Sequence, residues 1–424
     1  MKKQVLSLLF LTMFSDYSTA QWSLYGTDPE DQLKTTHFID ANTGFAAGSS
    51  GFIYFTGFVI KTTNGGSSWV KVFEEDEGEI KDLHFTNNNF GAGGGFNSNG
   101  DALVITSNNG GNSWSSHIVD DGPTIYGVHF TDENNGYAVG GYAYKGARKT
   151  TNGGQTWTLM DMPQEDNDQN FLLGIQFVTP SIGYIHAEKN GFKGGAVYKT
   201  IDAGVTWSLV FTRNGQNETL DAMHFYDEMH GVVVGEKISF YTSDGGANWL
   251  PCTTPAGSDL DARAVFMISE TTGFMIDVRD IYGTTDGGET WQINMNNGFN
   301  VLNLDDIHFP NQQTGYAVGS PGVYAKTINS GGILTNAKEQ VYYGNVDVYP
   351  TPFSHMATIE LKGLELKGEK TFLLFNSTGQ LMQEFIFENN RLEINGEELN
   401  SGIYYFKINN REGVLTTGKV VVME

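Results

Sequence analysis

The chain has 424 residues, with 53 glycines, 13% aromatic residues and only 17% charged residues. This profile favours short strands and many turns over long amphipathic helices. The formal net charge of −24 disfavours nucleic acid and anionic membranes as partners, and favours cations, cationic peptides or neutral glycans. The single cysteine, Cys252, excludes an internal disulfide, and we interpret it as a small buried apolar residue and not a nucleophile.

The first twenty residues are typical of a secretory signal peptide. Lys2 and Lys3 supply the positive start, residues 5–14 the apolar run, and Ser18 and Ala20 a cleavage site of small residues. The apolar run is too short to cross a bilayer, so no transmembrane segment is predicted here. We expect an exported protein whose stability comes from its core.

A turn motif with the spacing Thr-x-Asx-x-Gly-x-x-Trp recurs along the chain. The Asx side chain bonds backbone N–H groups further on, the glycine supplies a positive φ, and the tryptophan buries its ring beside the turn. We interpret these boxes as structural corners. Their Asx and tryptophan residues are Asn64 and Trp69, Asn109 and Trp114, Asn152 and Trp157, Asp202 and Trp207, Asp244 and Trp249, and Asp286 and Trp291. A seventh box has Asn329 but Leu334 in place of tryptophan.

A second landmark precedes each box: an apolar residue followed six positions later by glycine. The pairs are Phe38/Gly44, Phe85/Gly91, Phe130/Gly136, Phe177/Gly183, Phe225/Gly231, Met267/Gly273 and Phe309/Gly315. Successive glycines lie 42 to 48 residues apart, and each unit contains four short strand-like runs. In the third unit these are 125–130, 136–140, 146–150 and 156–160. Such a period predicts the blades of a β-propeller, with strands A to D in each.

The seventh tryptophan of the protein, Trp22, lies near the N-terminus in the context Trp22-Ser23-Leu24, which parallels Trp207-Ser208-Leu209. We predict that the N-terminal segment supplies the outer strand of the last blade and that Trp22 fills the position that Leu334 leaves incomplete. This arrangement closes the ring and removes an exposed sheet edge. The prediction is therefore a seven-bladed β-propeller over residues 21–334.

The box resembles the Asp-box (BNR) repeat of sialidase-like propellers. The longer unit, Phe-x(5)-Gly-Tyr-x-x-Gly followed by Thr-Asp-Gly-Gly-x-x-Trp, is most similar to the photosystem II assembly-factor propellers and their non-photosynthetic bacterial relatives. The resemblance covers some 310 residues. It implies the fold and does not carry a site.

After a linker at 335–344, residues 345–424 alternate as short strands, which predicts a small β-sandwich. The predicted strands are 346–349, 357–361, 371–375, 382–387, 392–394, 403–408 and 417–422. The region resembles the type A C-terminal sorting domain of the type IX secretion system. The similarity rests on Tyr349-Pro350-Thr351-Pro352, Phe375-Asn376-Ser377-Thr378-Gly379-Gln380, Leu399-Asn400-Ser401-Gly402-Ile403-Tyr404 and Lys419-Val420-Val421-Val422.

The second resemblance implies a destination and a partner. The type IX machinery of a Bacteroidetes-type cell would recognise the sorting domain, and export would cross the periplasm and both membranes. The sorting domain would then be cleaved, leaving the propeller extracellular or at the outer cell surface. We expect a monomer.

The loop lengths point to one face of the propeller. Spacings across the A–B and C–D turns are constant in every intact unit, whereas the B–C and D–A connections vary, with the long B–C loops in blades one to four. Variable loops on a fixed scaffold carry function in such folds. The candidate ligand-binding residues for a glycan or protein are Tyr54, Phe55, Phe96, Tyr142, Tyr144 and Phe192. The alternative for each aromatic ring is packing between blades.

Two further features suggest cations. Acidic runs at 74–79 and 161–168 are able to bind calcium as a cofactor, but a solvated loop explains them as well. Histidine precedes the landmark residue in five blades, with Gln176 and Phe266 in the other two. A metal-binding ring is one interpretation, and we favour imidazoles that bond the backbone of the next blade. The histidines are His37, His84, His129, His224 and His308.

No catalytic constellation stands out. A sialidase needs three arginines converging on a carboxylate, and the propeller contains four scattered ones: Arg148, Arg213, Arg263 and Arg279. We therefore favour a non-catalytic binding propeller for glycan or protein. The alternatives are a secreted glycoside-active enzyme of sialidase-like fold, and an assembly factor for a membrane or surface complex.

Overall fold

The chain was analysed as a computed structural model. It describes residues 22–28, 30–51, 55–120, 122, 124–141, 146–163, 170–189, 194–215, 218–255, 260–278, 280–296, 303–332, 345–362, 369–376, 381–396, 399–410 and 413–423. The predicted signal peptide, Leu334 and the linker lie outside this part of the chain. The compact unit Gln21–Leu334 contains the repeat, and the strands after residue 344 belong to a second unit.

Every named element in the described residues is a β-strand, and those of the first unit form seven four-stranded antiparallel sheets. The strand β1 spans Ser23–Gly26. The first three sheets contain β2 (Asp31–Phe38), β3 (Gly44–Ser50), β4 (Thr56–Thr62) and β5 (Val70–Glu75); β6 (Glu79–Phe85), β7 (Gly91–Phe96), β8 (Ala102–Ser107) and β9 (Ser115–Asp120); and β10 (Gly127–Phe130), β11 (Gly136–Val139), β12 (Ala147–Thr150) and β13 (Thr158–Leu159).

The next sheets continue the same order. They contain β14 (Phe171–Phe177), β15 (Gly183–Glu188), β16 (Gly194–Thr200) and β17 (Ser208–Asn214); β18 (Ala222–Phe225), β19 (Gly231–Val234), β20 (Ser239–Thr242) and β21 (Leu250–Pro251); and β22 (Ala262–Met267), β23 (Gly273–Asp277), β24 (Asp280–Thr284) and β25 (Gln292–Asn296). The seventh sheet contains β26 (Asn303–His308), β27 (Gly315–Ser320) and β28 (Val323–Thr327), followed in space by β1.

The first strands of successive sheets contact one another in a complete circle, from β2 through β6, β10, β14, β18 and β22 to β26 and back to β2. Each sheet is thus a blade with its strand A innermost. The predicted seven-bladed propeller is confirmed.

The N-terminal strand closes the ring. In the antiparallel pairing of β1 with β28, Ser23 lies opposite Lys326 and Gly26 opposite Val323. Trp22 is 4% exposed and contacts Phe274 and Phe309 edge-on, with ring centroids 5.9 and 5.7 Å away. The prediction that this segment completes the seventh blade is confirmed.

The Asp-boxes share one hydrogen-bond pattern, shown here for blade four. Thr200 Oγ1 donates to Asp202 Oδ1 at 2.8 Å and accepts a bond from Gly204 N at 3.0 Å. Asp202 also accepts bonds from the backbone and hydroxyl of Thr206, at 2.9 and 2.6 Å. Gly204 has φ +75°, a conformation that favours glycine. The ring of Trp207 then packs edge-on against Phe177.

Neighbouring blades are joined by a lysine at the end of strand C. In blade four, Lys199 Nζ donates to the carbonyl oxygen of Gly245 in the next box at 2.7 Å, and it lies 5.2 Å from the ring centroid of Tyr184. Tyr184 in turn stacks on the landmark Phe225, with centroids 3.6 Å apart. The equivalent lysines are Lys61, Lys149 and Lys326.

The second unit is a β-sandwich of two sheets around one apolar core. One sheet contains β29 (Asn345–Tyr349), β30 (Met356–Lys362) and β33 (Arg391–Asn395). The other contains β31 (Lys370–Phe375), β32 (Leu381–Phe387), β34 (Gly402–Asn410) and β35 (Gly413–Val422). All seven predicted strands are present, with bounds within four residues of the prediction.

Candidate functional site

The innermost strands share an irregularity near their start. In five blades the pairing of strand A with strand B skips one residue four positions before the landmark, namely Lys34, Lys81, Leu173, Arg263 or Asp305. Tyr126 and Asp221 occupy the same position in blades three and five. A bulge of this kind re-aims a side chain. We call these seven residues the bulge ring.

In five of the seven blades, a glycine on strand B lies opposite this position of strand A. In blade two, Gly95 lies opposite the bulge, and a Cβ there would collide with the carbonyl oxygen of Glu79. Gly48, Gly140, Gly235 and Gly319 have the same relation to a carbonyl in their own blades. They are the last glycine of the Gly-Tyr-x-x-Gly pattern, and this glycine allows a close approach of the two strands. Blades four and six form the bulge with Ala187 and Asp277 at this position, so the glycine accompanies the bulge but is not required for it.

The bulge ring contains an ion-pair network where blades six, seven and one meet. Asp305 accepts bonds from Lys34 Nζ at 3.3 Å and from Arg263 Nη1 at 3.1 Å. The Asp305 side chain is 12% exposed, so these two cations offset the cost of burying its charge. The network fixes the ring in this sector.

Blades two and three place a cation beside an aromatic ring. Lys81 forms an ion pair with Glu79 and lies 6.0 Å from the ring centroid of Tyr126. Tyr126 meets Phe171 edge-on at 5.5 Å. Burial, followed by the charges of Glu79 and Glu188, raises the pKa of the Tyr126 hydroxyl. This sector is a half-buried, mixed polar and aromatic surface.

Blade five contributes a carboxylate in an acidic setting. Asp221 accepts a bond from Thr219 Oγ1 at 2.9 Å. Burial first, and then the nearby charges of Asp261 and Glu188, raise the pKa of Asp221 to about 6, against the lowering effect of the bond from Thr219. A cation placed here would therefore be attracted, and would lower that pKa again.

Two more carboxylates lie one residue further along strand A. Asp82 accepts a bond from Val128 N at 2.7 Å, and Asp306 accepts one from Thr36 N at 2.8 Å. Each bond crosses to another blade. Burial raises the pKa of both carboxyls to about 7, against the lowering effect of these bonds.

The inner-strand histidines of blades two, five and seven bond the backbone of a neighbouring blade, in agreement with the packing interpretation. His84 Nε2 lies 3.1 Å from Phe130 O, and His308 Nδ1 accepts a bond from Phe38 N at 3.3 Å. Gln176 reproduces the bond in blade four. Burial lowers the pKa of His84 to about 4, so its imidazole is neutral. Among the described residues, no group of three or more His, Cys, Asp or Glu is placed to hold a metal ion.

The structure describes two of the six predicted ligand-binding aromatics. Phe55 is 42% exposed, and Phe96 is half-buried at the end of β7. Tyr54, Tyr142, Tyr144 and Phe192 lie outside the described residues, and this site stays a prediction. Loop-length reasoning pointed to the face on which strand A begins but did not identify the bulge ring, for which the final glycine of five units is the available sequence signal.

The arginines serve separate local roles. Arg148 is buried and bonds the carbonyl of Gly146 at 3.3 Å, Arg213 pairs with Glu218, and Arg263 belongs to the bulge ring. Arg279 lies outside the described residues. The three described arginines do not converge on one point, as a sialidase would require.

The remaining chemical candidates also have structural roles. Burial raises the pKa of the Cys252 thiol to about 12, which suppresses nucleophilic character. In the first acidic run, Glu74 pairs with Lys71 and Glu79 with Lys81. Residues 164–169 of the second run lie outside the described part of the chain.

Comparison with known proteins identifies the second unit. Residues 347–423 match the secretion system C-terminal sorting domain. The chain therefore carries a type IX sorting domain, which implies delivery to the cell surface or the extracellular space. No helix in the described residues is long and apolar enough to cross a membrane. No curated protein matches the sequence.

Solved structures similar to this chain are propellers of low sequence identity. YCF48 bound to a D1 peptide has a TM-score of 0.56 and 18% identity, over 74% of this chain and 98% of YCF48. YCF48 from Cyanidioschyzon merolae has a TM-score of 0.54 and 18% identity, over 72% and 98% of the two chains. PorZ, a surface component of the type IX system of Porphyromonas gingivalis, has a TM-score of 0.54 and 12% identity, over 91% and 59%. At these identities the likeness shows the fold.

Proposed function

We propose that this protein is an exported, non-catalytic propeller that binds a polypeptide segment carrying lysine or arginine at the bulge ring. The observation that carries the proposal is the environment of Asp221. Two further carboxylates, Asp261 and Glu188, act on it, and a threonine hydroxyl is its side-chain partner. A cationic side chain would relieve this repulsion.

The rest of the ring suits a peptide backbone. Tyr126, Lys34 and Arg263 supply donors, Asp305 and Glu79 supply acceptors, and Phe171 adds apolar surface. Aromatic residues and arginine, represented here by Tyr126, Phe171 and Arg263, are enriched at protein interfaces. The formal charge of −24 would speed the approach of a basic segment at low salt.

The comparison with YCF48 supports a peptide over other ligands. YCF48, whose propeller resembles this one, is bound to a D1 peptide in one of the similar structures. The sorting domain implies delivery to the cell surface or the extracellular space, where other exported proteins are available as partners. We therefore propose recognition of a surface or secreted protein and not an enzymatic reaction.

The test is a binding titration with two fluorescein-labelled ten-residue peptides, one of alternating alanine and lysine and one of alternating alanine and glutamate. Residues 21–424 are titrated into each at 50 mM salt, and anisotropy is measured. Asp221→Asn and Asp261→Asn remove charge at the ring. Asp161→Asn, which removes an exposed carboxylate at the end of blade three, is the matched control.

The lysine peptide should bind, and each ring substitution should weaken it about fivefold to tenfold, about 1 to 1.4 kcal/mol. The control should change affinity less than twofold. Equal binding of the glutamate peptide, or equal weakening by the control, would show that charge over the whole surface, and not the ring, attracts the peptide.

A further inference from the structure

A groove of about 690 Å³ follows the seam where the ring closes. One wall is the N-terminal strand β1 with the segment that follows it, and the other is the box turn of blade one, including Ser67 and Trp69. The groove lies between blades seven and one, and none of its lining residues belongs to the bulge ring. Its volume falls within the range of about 300–1,000 Å³ typical of small-molecule sites.

Two tyrosines form an aromatic platform in the groove. Tyr25 stacks on Tyr324 with ring centroids 5.0 Å apart and planes 14° apart. Tyr324 is 3% exposed, donates its hydroxyl to Gly66 O at 2.6 Å and meets Trp69 edge-on. Tyr25 is 47% exposed, so a rigid base supports a ring that is open to solvent.

The platform is peculiar to the seam. Tyr25 is paired with Tyr324, which lies three residues before the box threonine of blade seven. The outer-strand residues paired with the same strand C position in blades one, two, four and six are Phe73, His117, Phe211 and Met295. In strand C, three residues before the box threonine or serine, only blade seven has an aromatic residue, Tyr324. General blade packing therefore does not require the tyrosine pair.

Negatively and positively charged groups that form hydrogen bonds surround the platform. Asp28 and Asp31 lie on one side, with Thr27 Oγ1 3.3 Å from Asp31 Oδ2. Burial and the charge of Asp28 raise the pKa of Asp31. Lys71, whose ammonium pairs with Glu74 at 2.8 Å, borders the same groove with Ser67.

We propose that the seam groove binds a carbohydrate, with a pyranose ring lying on the exposed face of Tyr25. The apolar C–H face of a sugar fits a flat aromatic ring, and its hydroxyls both donate to carboxylates and accept from an ammonium. Carboxylates and a lysine in one groove disfavour a simple anion or cation. A neutral ligand rich in hydroxyls satisfies both.

The test uses isothermal titration of residues 21–424 with glucose, galactose, mannose, N-acetylglucosamine, and the corresponding soluble oligosaccharides. Tyr25→Ala removes the stacking surface, and Asp31→Asn removes a charged acceptor. Leu24→Ala is the matched control because Leu24 is a 41% exposed neighbour on the same strand that does not line the groove. Thermal unfolding of each variant is measured alongside.

At least one sugar should bind saturably, and Tyr25→Ala should weaken its affinity at least tenfold, while Leu24→Ala stays within twofold. Asp31→Asn should weaken the same sugar severalfold. If monosaccharides bind, the ligand of the groove is a free or terminal sugar. If only oligosaccharides bind, the ligand is a longer glycan chain.

The proposal is overturned if no sugar binds at 50 mM while the protein is folded, or if Tyr25→Ala and Leu24→Ala bind equally. Asp221→Asn should leave sugar binding unchanged. This variant distinguishes the seam groove from the bulge ring, so the two proposals are tested independently of each other.

Discussion

Replacing Trp22 by alanine tests how the ring is held shut. The indole is 4% exposed, meets Phe274 and Phe309 edge-on, and donates from Nε1 to Asn294 Oδ1 at 3.0 Å. Truncating a buried tryptophan costs about 3–5 kcal/mol, and the lost hydrogen bond contributes about 1 kcal/mol of that. We expect Trp22→Ala to lower the free energy of unfolding of the propeller by about 4 kcal/mol.

The assay is urea unfolding of residues 21–424 followed by tryptophan fluorescence. All seven tryptophans lie in the propeller, so six remain in the variant to report that unit alone. Trp22→Phe keeps the edge-on contacts but loses the indole donor, and it should cost about 1–2 kcal/mol.

The control is Leu24→Ala, two residues along, whose side chain is 41% exposed. It should change the free energy of unfolding by no more than about 0.5 kcal/mol. If Trp22→Ala and Leu24→Ala destabilise the propeller equally, the buried indole does not hold the ring closed, and the reasoning is wrong.

Three further predictions concern the joints between and within blades. Lys199→Met should cost about 1–2 kcal/mol in thermal or urea unfolding, because a charged hydrogen bond to Gly245 is lost; an unchanged midpoint would contradict this. Asn152→Asp should leave the free energy of unfolding nearly unchanged, since other boxes use aspartate, whereas Asn152→Ala should lower it by about 1–2 kcal/mol. Equal losses in the two variants would contradict the hydrogen-bond pattern of the box. The neutral imidazole of His84, with its pKa lowered from 6.5 to about 4, contributes stability above pH 6.5 that is lost as the pH falls toward 4. His84→Gln introduces the residue of blade four and should reduce this acid-induced loss by as much as about 2.4 kcal/mol in urea titrations at pH 7 and 4.5. An unaltered pH dependence would contradict the prediction.

The fold was predictable from the sequence because its signals are local and repeated. The box and the landmark each require a few residues at fixed spacing, and seven copies set the number of blades. Trp22 was assigned to the last blade because the seventh box lacked a tryptophan and one tryptophan was left over. The pairing of β1 with β28 confirms that reasoning.

The candidate sites were harder to predict because they depend on side-chain direction. The bulge opposite Gly95 interrupts the alternation of strand A at Lys81, so the direction of this side chain does not follow from the two-residue period. The platform of Tyr25 and Tyr324 requires the pairing register of two distant strands, which no short motif reveals. The loop aromatics chosen from loop lengths remain a prediction, since four of the six lie outside the described residues.

The pairing of β1 with β28 also sets an order of events. The strand β1 pairs with residues about 300 positions later in the chain, so it cannot pair until the final blade has been synthesised. Until then the blades form an open arc, and β28 is an unpaired edge strand of the seventh sheet. If the chain is exported before β1 pairs with β28, the propeller closes only after export.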